Sequence, residues 1–252
     1  MDPWILAPAF FIGALLYSSV GHGGASAYLA IMALAHAAPE SMRPLALALN
    51  LVVAGVAALQ YARAGFLDWR LLWPLLLGSV PLAYLGGLID LPEFWYRSAI
   101  GLVLLYAAVS LWWGSIRADE APAKAPPIPV AVAAGGVLGL AAGLTGVGGG
   151  IFLSPLLMLM NWARAKPTAA VSALFIWLNS LSGLLAQAER VPPILDELLW
   201  AAPAVLAGGL LGAWIGARRT PPRLLRRLLS VVLLVAAWKL LATAVAAWPT
   251  GG

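Results

Sequence analysis

The sequence predicts an all-α polytopic membrane protein of two inverted repeats, each a broken or re-entrant helical hairpin followed by three spanning helices. Three observations carry this expectation. Of 252 residues, 62% are hydrophobic and 10% charged, against about 25% charged in a soluble domain, and mean hydropathy is +0.92. Apolar stretches of roughly 20 residues, enough to cross a hydrocarbon core at about 1.5 Å per residue, recur along the chain. A glycine-rich interruption also appears twice, as Gly21-His22-Gly23-Gly24-Ala25 and Gly146-Val147-Gly148-Gly149-Gly150.

In chain order, the first repeat covers residues 1–114. Its apolar stretch from Ile5 to Leu34 is cut by Gly21 to Gly24 into two pieces, neither expected to span alone, and spans follow at about 42–63, 68–89 and 94–114. Residues 115–129, rich in Ala, Pro and charge, read as an exposed cytoplasmic linker. The second repeat, 130–252, has its stretch from Val130 to Met160 cut in the same way, then spans at about 167–188, 196–217 and 224–247. The two breaks lie 125 positions apart, whereas the later landmark pairs Gly86 and Gly216, Pro92 and Pro222, and Arg97 and Arg227 lie 130 apart. A net insertion of five residues reconciles the two offsets, as expected for a tandem repeat. The start, Met1-Asp2-Pro3-Trp4, lacks the basic region of a signal peptide, so the first apolar segment is expected to remain in the mature protein.

Charge placement chooses between re-entrant hairpins and long kinked helices. With re-entrant breaks, eleven Lys and Arg residues fall on one side and Arg43, Arg97 and Arg190 on the other; with crossing breaks the split is 9 to 5. Lys239 lies inside a span either way. The first split follows the positive-inside tendency better. It predicts inverted repeats in the inner membrane, a cytoplasmic linker and both termini outside.

The breaks are also where chemistry is expected. A helix that begins after a glycine turn presents free N–H groups and about half a positive charge, a setting for an oxyanion that needs no buried lysine. Glycine permits the turn and lets a ligand approach the main chain, and non-helical backbone at membrane depth persists only where protein or a wet cavity satisfies it. The expected substrate-binding residues are Ser19, His22, Gly23, Gly24, Ser26, Asn50, Thr145, Gly148, Gly149 and Asn179, with Ser18, Ser154, Ser180 and Ser182 as further polar groups near the cavity. Each has a plainer alternative. Glycines serve close helix packing, a Ser or Thr hydroxyl bonds a helix carbonyl, and His22 is a neutral ring held by backbone. Gly208, Gly209, Gly212 and Gly216 read as a packing face, and Trp4, Trp112, Trp113 and Trp248 as interface anchors.

The run Gly139-Leu140-Ala141-Ala142-Gly143-Leu144-Thr145-Gly146-Val147-Gly148-Gly149-Gly150-Ile151-Phe152-Leu153-Ser154-Pro155 has its counterpart in Ser18 to Ser26, and Gly65-Phe66-Leu67-Asp68-Trp69 forms a turn between spans. Together they resemble the TauE/SafE family of sulfite and sulfonate exporters. The resemblance covers essentially the whole chain and implies transmembrane movement of sulfite, sulfoacetate or related organosulfur anions. His22 stands where a small residue is expected, which bears on selectivity.

Other function classes fit less well. There is no HExxH zinc motif and no carboxylate pair inside the spans, and a dyad of Ser18 or Ser19 with His22 is generic. No Walker motif points to ATP-driven transport. The absence of cysteine excludes thiolate metal sites and disulfides, so no cofactor or metal is expected. The net charge of +5 reflects topogenic Lys and Arg rather than nucleic-acid binding. The expected partners are a small sulfur anion and the lipid bilayer, with homo-oligomerisation left open. Secondary transport, in the export direction, is the favoured reading, and a passive anion channel is the alternative.

Overall fold

The computed structural model describes residues 3–113, 123–218 and 223–246. Most of the linker, including Arg117, lies outside the described residues, as do Arg219, Trp248 and the polar tail. The described residues form helices joined by short turns, with no strand among them.

In the first half the helices are α1 (Pro3–Ser18), α2 (Ala25–Leu34), α3 (Pro39–Arg63), α4 (Trp69–Leu88) and α5 (Glu93–Trp113). The second half repeats the series as α6 (Ile128–Thr145), α7 (Gly150–Leu159), α8 (Ala165–Leu185), α9 (Leu195–Arg218) and α10 (Arg223–Ala246). The six expected spans fall on the helices α3, α4, α5, α8, α9 and α10; among the described residues α5 does not meet the length and hydropathy of a membrane span, and α10 offers only the shorter apolar stretch Leu233–Val245. Both glycine runs break the chain as expected, but α6 does not match the expectation that neither broken piece spans alone. Its 18 residues are long and apolar enough to cross a membrane, as are α3, α4, α8 and the segment Ala188–Arg218 that contains α9. The helix extends two residues ahead of the anticipated start because Pro127 and Pro129 fit the first turn, where a missing N–H costs nothing.

Helix boundaries follow local chemistry. Asp68 caps α4 by accepting from the N–H groups of Arg70 at 3.0 Å and Leu71 at 3.2 Å. At the other end of α4, Arg43 donates to the carbonyls of Gly86 at 2.6 Å, Gly87 at 2.7 Å and Ile89 at 3.0 Å. A cation is well placed at a helix C-terminus, and this accounts for a guanidinium only 4% exposed.

Large apolar side chains cover the outside of the bundle: Leu77 is 60% exposed, Val137 69% and Leu199 74%. Such a surface suits lipid rather than water. Trp4 and Trp112 are also exposed, consistent with interface anchoring.

Inside, α3 and α8 cross antiparallel. Leu47 faces Gly183, Asn50 meets Ser180, Gly55 faces Trp177, and Ala57 and Tyr61 cluster with Ala169, Ala170 and Ala173. Against this pair, α9 carries α1 and α4 carries α6, each couple running parallel. Gly208, Gly212 and Gly216 rest on the carbonyls of Phe11, Leu15 and Ser19, so closely that any Cβ would collide. Gly135, Gly139 and Gly143 rest likewise on Leu75, Ser79 and Ala83. These small-residue rows at every fourth position let backbones touch, the packing that operates in lipid, where burial alone gives little drive. Gly209 does not belong to the row on α1, because it faces the Val53 side chain of α3 instead.

The ends of the bundle are also defined by contacts. At one end the Lys166 ammonium lies 4.9 Å from the centre of the Phe66 ring, and Lys124 N–H donates to the Asn161 carbonyl at 2.8 Å. The segment before α6 therefore meets the segment after α7 at this end of the bundle. At the other end Asp90 and Arg190 pair at 2.6 Å, and Lys239 reaches the Leu34 carbonyl at 3.1 Å.

Candidate functional site

The two breaks share two left-handed glycine turns and differ at a third position, where Gly148 is left-handed and Gly23 is not. Gly21 and Gly146 have φ of 77° and 79°, and Gly24 and Gly149 have φ of 96° and 79°. These left-handed values are open to glycine and costly for other residues. They turn the chain sharply, so that α2 and α7 each begin at the inner end of a hairpin.

Asn50 joins the breaks. It is fully buried on α3, and its Oδ1 accepts from the Ala25 N–H, the first of α2, at 3.1 Å. Its Nδ2 donates to the Val147 carbonyl in the second break and to Ser180 Oγ on α8, both at 3.3 Å. Both amide hydrogens and one acceptor lone pair are thereby used. The site lies deep in the bundle: Ser182, half a turn beyond Ser180, donates to the carbonyl of Val80 near the middle of α4 at 2.7 Å.

A small cavity of about 10 Å³ opens beside Asn50, lined by Tyr17, His22, Gly23, Gly24, Ala25, Ser26, Val147, Ile151 and Ile176. That is room for about one water, so an oxyanion fits only if the breaks move apart. His22 is half-buried, with Nδ1 3.1 Å from the Val20 carbonyl and the Gly150 main chain as a second backbone neighbour. Its ring packs edge-on to Tyr17. The Tyr17 hydroxyl is buried beside Ser26 but makes no hydrogen bond of good geometry. Tyr28 Oη donates to the Gly23 carbonyl at 2.9 Å, and a Cβ on Gly24 would strike that same hydroxyl.

The expected site residues divide into three groups. His22, Gly23, Gly24 and Ser26 line the cavity. Asn50 and Gly148 adjoin it, for a Cβ on Gly148 would come within 2.8 Å of Asn50 Nδ2 and 2.9 Å of Ser180 Oγ. The remaining four are held elsewhere. Ser19 donates to Leu16 O and Thr145 to Ala141 O, both at 2.7 Å along their own helices. Gly149 faces Phe175. Asn179 donates to Phe175 O at 2.7 Å, leaving its Oδ1 buried and without a partner. Of the further polar groups, Ser18 donates to Gly209 O and Ser154 pairs with Ser172. Tyr17, Val147, Ile151 and Ile176 line the cavity without having been singled out from the sequence. A Tyr in an apolar run one turn before the glycine break was the available signal for Tyr17.

The comparisons with known proteins agree with a membrane protein. The family model described as "Sulfite exporter TauE/SafE" matches residues 5–240, from α1 into α10 and through both breaks. The chain belongs to the TauE/SafE family. It is 39% identical over 239 residues to the "Probable membrane transporter protein y4hK" of Sinorhizobium fredii, a match covering 94% of this chain and 97% of that relative. No solved structure matches the chain. As a TauE/SafE protein, it is a multi-pass membrane transporter.

Proposed function

We propose that this TauE/SafE protein is a secondary transporter that moves small sulfur-containing anions, such as sulfite, sulfoacetate or related organosulfonates, outward across the inner membrane. The observation that carries the reading is the position of Asn50, bonded to the first N–H of α2 and to the main chain of the second break. The start of a helix attracts an oxyanion through its unpaired N–H groups and dipole. Two such starts, at α2 and α7, flank a cavity walled by glycine, hydroxyl and imidazole. The group that ties them together is neutral, so an anion meets hydrogen-bond donors without a fixed buried cation that would hold it too tightly.

The antiparallel crossing of α3 and α8, and the exchange of partners in which α1 packs on α9 as α6 packs on α4, support two repeats of opposite orientation. In that arrangement the end bearing Arg63, Arg70, Lys124, Arg164, Lys166 and Arg218 faces the cytoplasm, as the positive-inside tendency requires. The chain termini then face outward. Movement of the hairpins relative to α3 and α8 would open the closed cavity to one side at a time. Efflux of a monoanion from a negative-inside cell is favoured by about 2.3 kcal/mol per 100 mV, so export needs no ATPase.

A panel of labelled sulfite, thiosulfate, sulfoacetate, taurine and sulfate in proteoliposomes tests the substrate class. Saturable flux of sulfite or an organosulfonate with counterflow supports the proposal. Conductance far above carrier turnover, without counterflow, identifies a channel instead, and no flux of any sulfur anion rejects the substrate class.

A further inference from the structure

A second cavity, of about 100 Å³, lies away from the glycine breaks where α2 ends, α3 and α5 begin and α10 closes. His36, Tyr96, Arg97, Lys239 and Thr243 supply its polar lining. At roughly 10–15 Å³ for each water position, it holds several waters or one small oxyanion.

The donors there are not fully used. Lys239 sits in the otherwise apolar run Leu233–Val245, donates to Leu34 O at 3.1 Å and lies 3.2 Å from His36 Nε2. Neither of the two salt bridges among the described residues involves it, and a third ammonium hydrogen remains. Arg97 pairs with Glu93 and donates to Thr243 Oγ1 at 3.0 Å, which leaves part of its five-donor fork available. Tyr96 is the independent observation. The residue is 6% exposed, it lines this cavity, and its hydroxyl is buried with no partner. An unpaired buried hydroxyl is costly unless a ligand or a water completes it.

The neighbouring carboxylates neutralise Arg97 but leave the Lys239 charge without an ion-pair partner. Glu93 is engaged by Arg97, and Asp90 is engaged by Arg190. Arg43 directs its two terminal nitrogens at the last carbonyls of α4, while its Nε is buried without a partner and its charge, with that of Arg190, acts on Tyr96. Capping α2 explains one hydrogen bond of Lys239, but not a lysine placed within an apolar helix beside an arginine. The site is also not a by-product of the repeat, because at the offset of 130 Lys239 corresponds to Val109 and Thr243 to Trp113.

We propose that this pocket is a second oxyanion-binding site, in which Lys239, Arg97 and the Tyr96 hydroxyl hold one sulfite, sulfonate or phosphate group at the end of the bundle opposite Lys166. The group comes either from a free anion or from a phospholipid headgroup, and the two sources leave different traces.

The test uses the full chain with Lys239→Met and Tyr96→Phe, and Lys239→Arg as the conservative control. Equilibrium binding of labelled sulfite and sulfate is measured in detergent, and retained phospholipid is measured by native mass spectrometry, with thermal unfolding to confirm the fold. A free-anion site gives about tenfold weaker sulfite or sulfate binding in Lys239→Met, a smaller loss in Tyr96→Phe and near-normal binding in Lys239→Arg. A headgroup site gives a co-purifying phospholipid that Lys239→Met loses and added sulfate displaces. If folded Lys239→Met and Tyr96→Phe match the unmodified protein in both anion binding and retained lipid, the pocket is not an oxyanion site.

Discussion

Asn50 and Ser180, 130 positions apart, hydrogen-bond each other at 3.3 Å where α3 and α8 cross. The same separation relates Gly86 to Gly216 and Arg97 to Arg227, and the contact joins the two halves of the chain in the middle of the bundle.

Asn50→Ala removes the hydrogen bonds to Ala25, Val147 and Ser180 together. At about 0.6–2 kcal/mol for each membrane hydrogen bond, the expected loss of stability is about 2–6 kcal/mol, and anion binding falls by more than tenfold. Binding by scintillation proximity alongside thermal unfolding separates the two effects. Binding unchanged in the folded variant removes Asn50 from the site.

Gly148→Val places a branched side chain on a residue with φ of 77° and against Asn50, Ile176 and Ser180. Substrate binding is expected to disappear in protein that still inserts. Gly212→Ala, which presses on the Leu15 carbonyl, is expected to lower stability by about 1–3 kcal/mol while leaving discrimination between anions unaltered. Gly209→Ala should be milder, because its Cβ would meet Val53 at 3.2 Å. Melting curves and binding isotherms for the three variants check this order.

His22→Val gives the first break the residue found at the matching position of the second. With the imidazole removed from the cavity wall, affinity for the anion is expected to fall about tenfold, and selectivity within the substrate panel to change. Competition binding with sulfite, sulfoacetate and taurine reads the change. Identical competition constants assign His22 to holding the Val20 turn alone.

Single cysteines report the orientation of a chain that has none of its own. Ala123→Cys and Ala188→Cys are both at exposed positions, before α6 and after α8. An impermeant maleimide added to intact cells should label residue 188 and leave residue 123 until the membrane is opened. The reverse pattern inverts the proposed topology.

The six helices and both breaks were legible because length, hydropathy and glycine spacing are properties of one chain segment at a time. What pairs with what was not. Helices apolar on every side carry weak periodicity, so nothing in the sequence turned Gly149 toward Phe175 while Gly148 faced Asn50. The same limit merged Gly209 with the row of Gly208, Gly212 and Gly216. Ser19 and Thr145 looked available as polar groups in apolar runs, yet each hydroxyl satisfies a carbonyl of its own helix, a local bond that composition does not reveal. Asn50 was visible as a buried amide, but its partners lie 25, 97 and 130 residues away and emerge only from the fold.

Counterflow in proteoliposomes measures the central claim most directly. Vesicles loaded with unlabelled sulfite and diluted into labelled sulfite should accumulate label transiently when they contain the unmodified protein, and should not when they contain folded Asn50→Ala. The absence of counterflow with sulfite and with each organosulfonate, or equal counterflow in the two proteins, would contradict a sulfur-anion carrier built around Asn50.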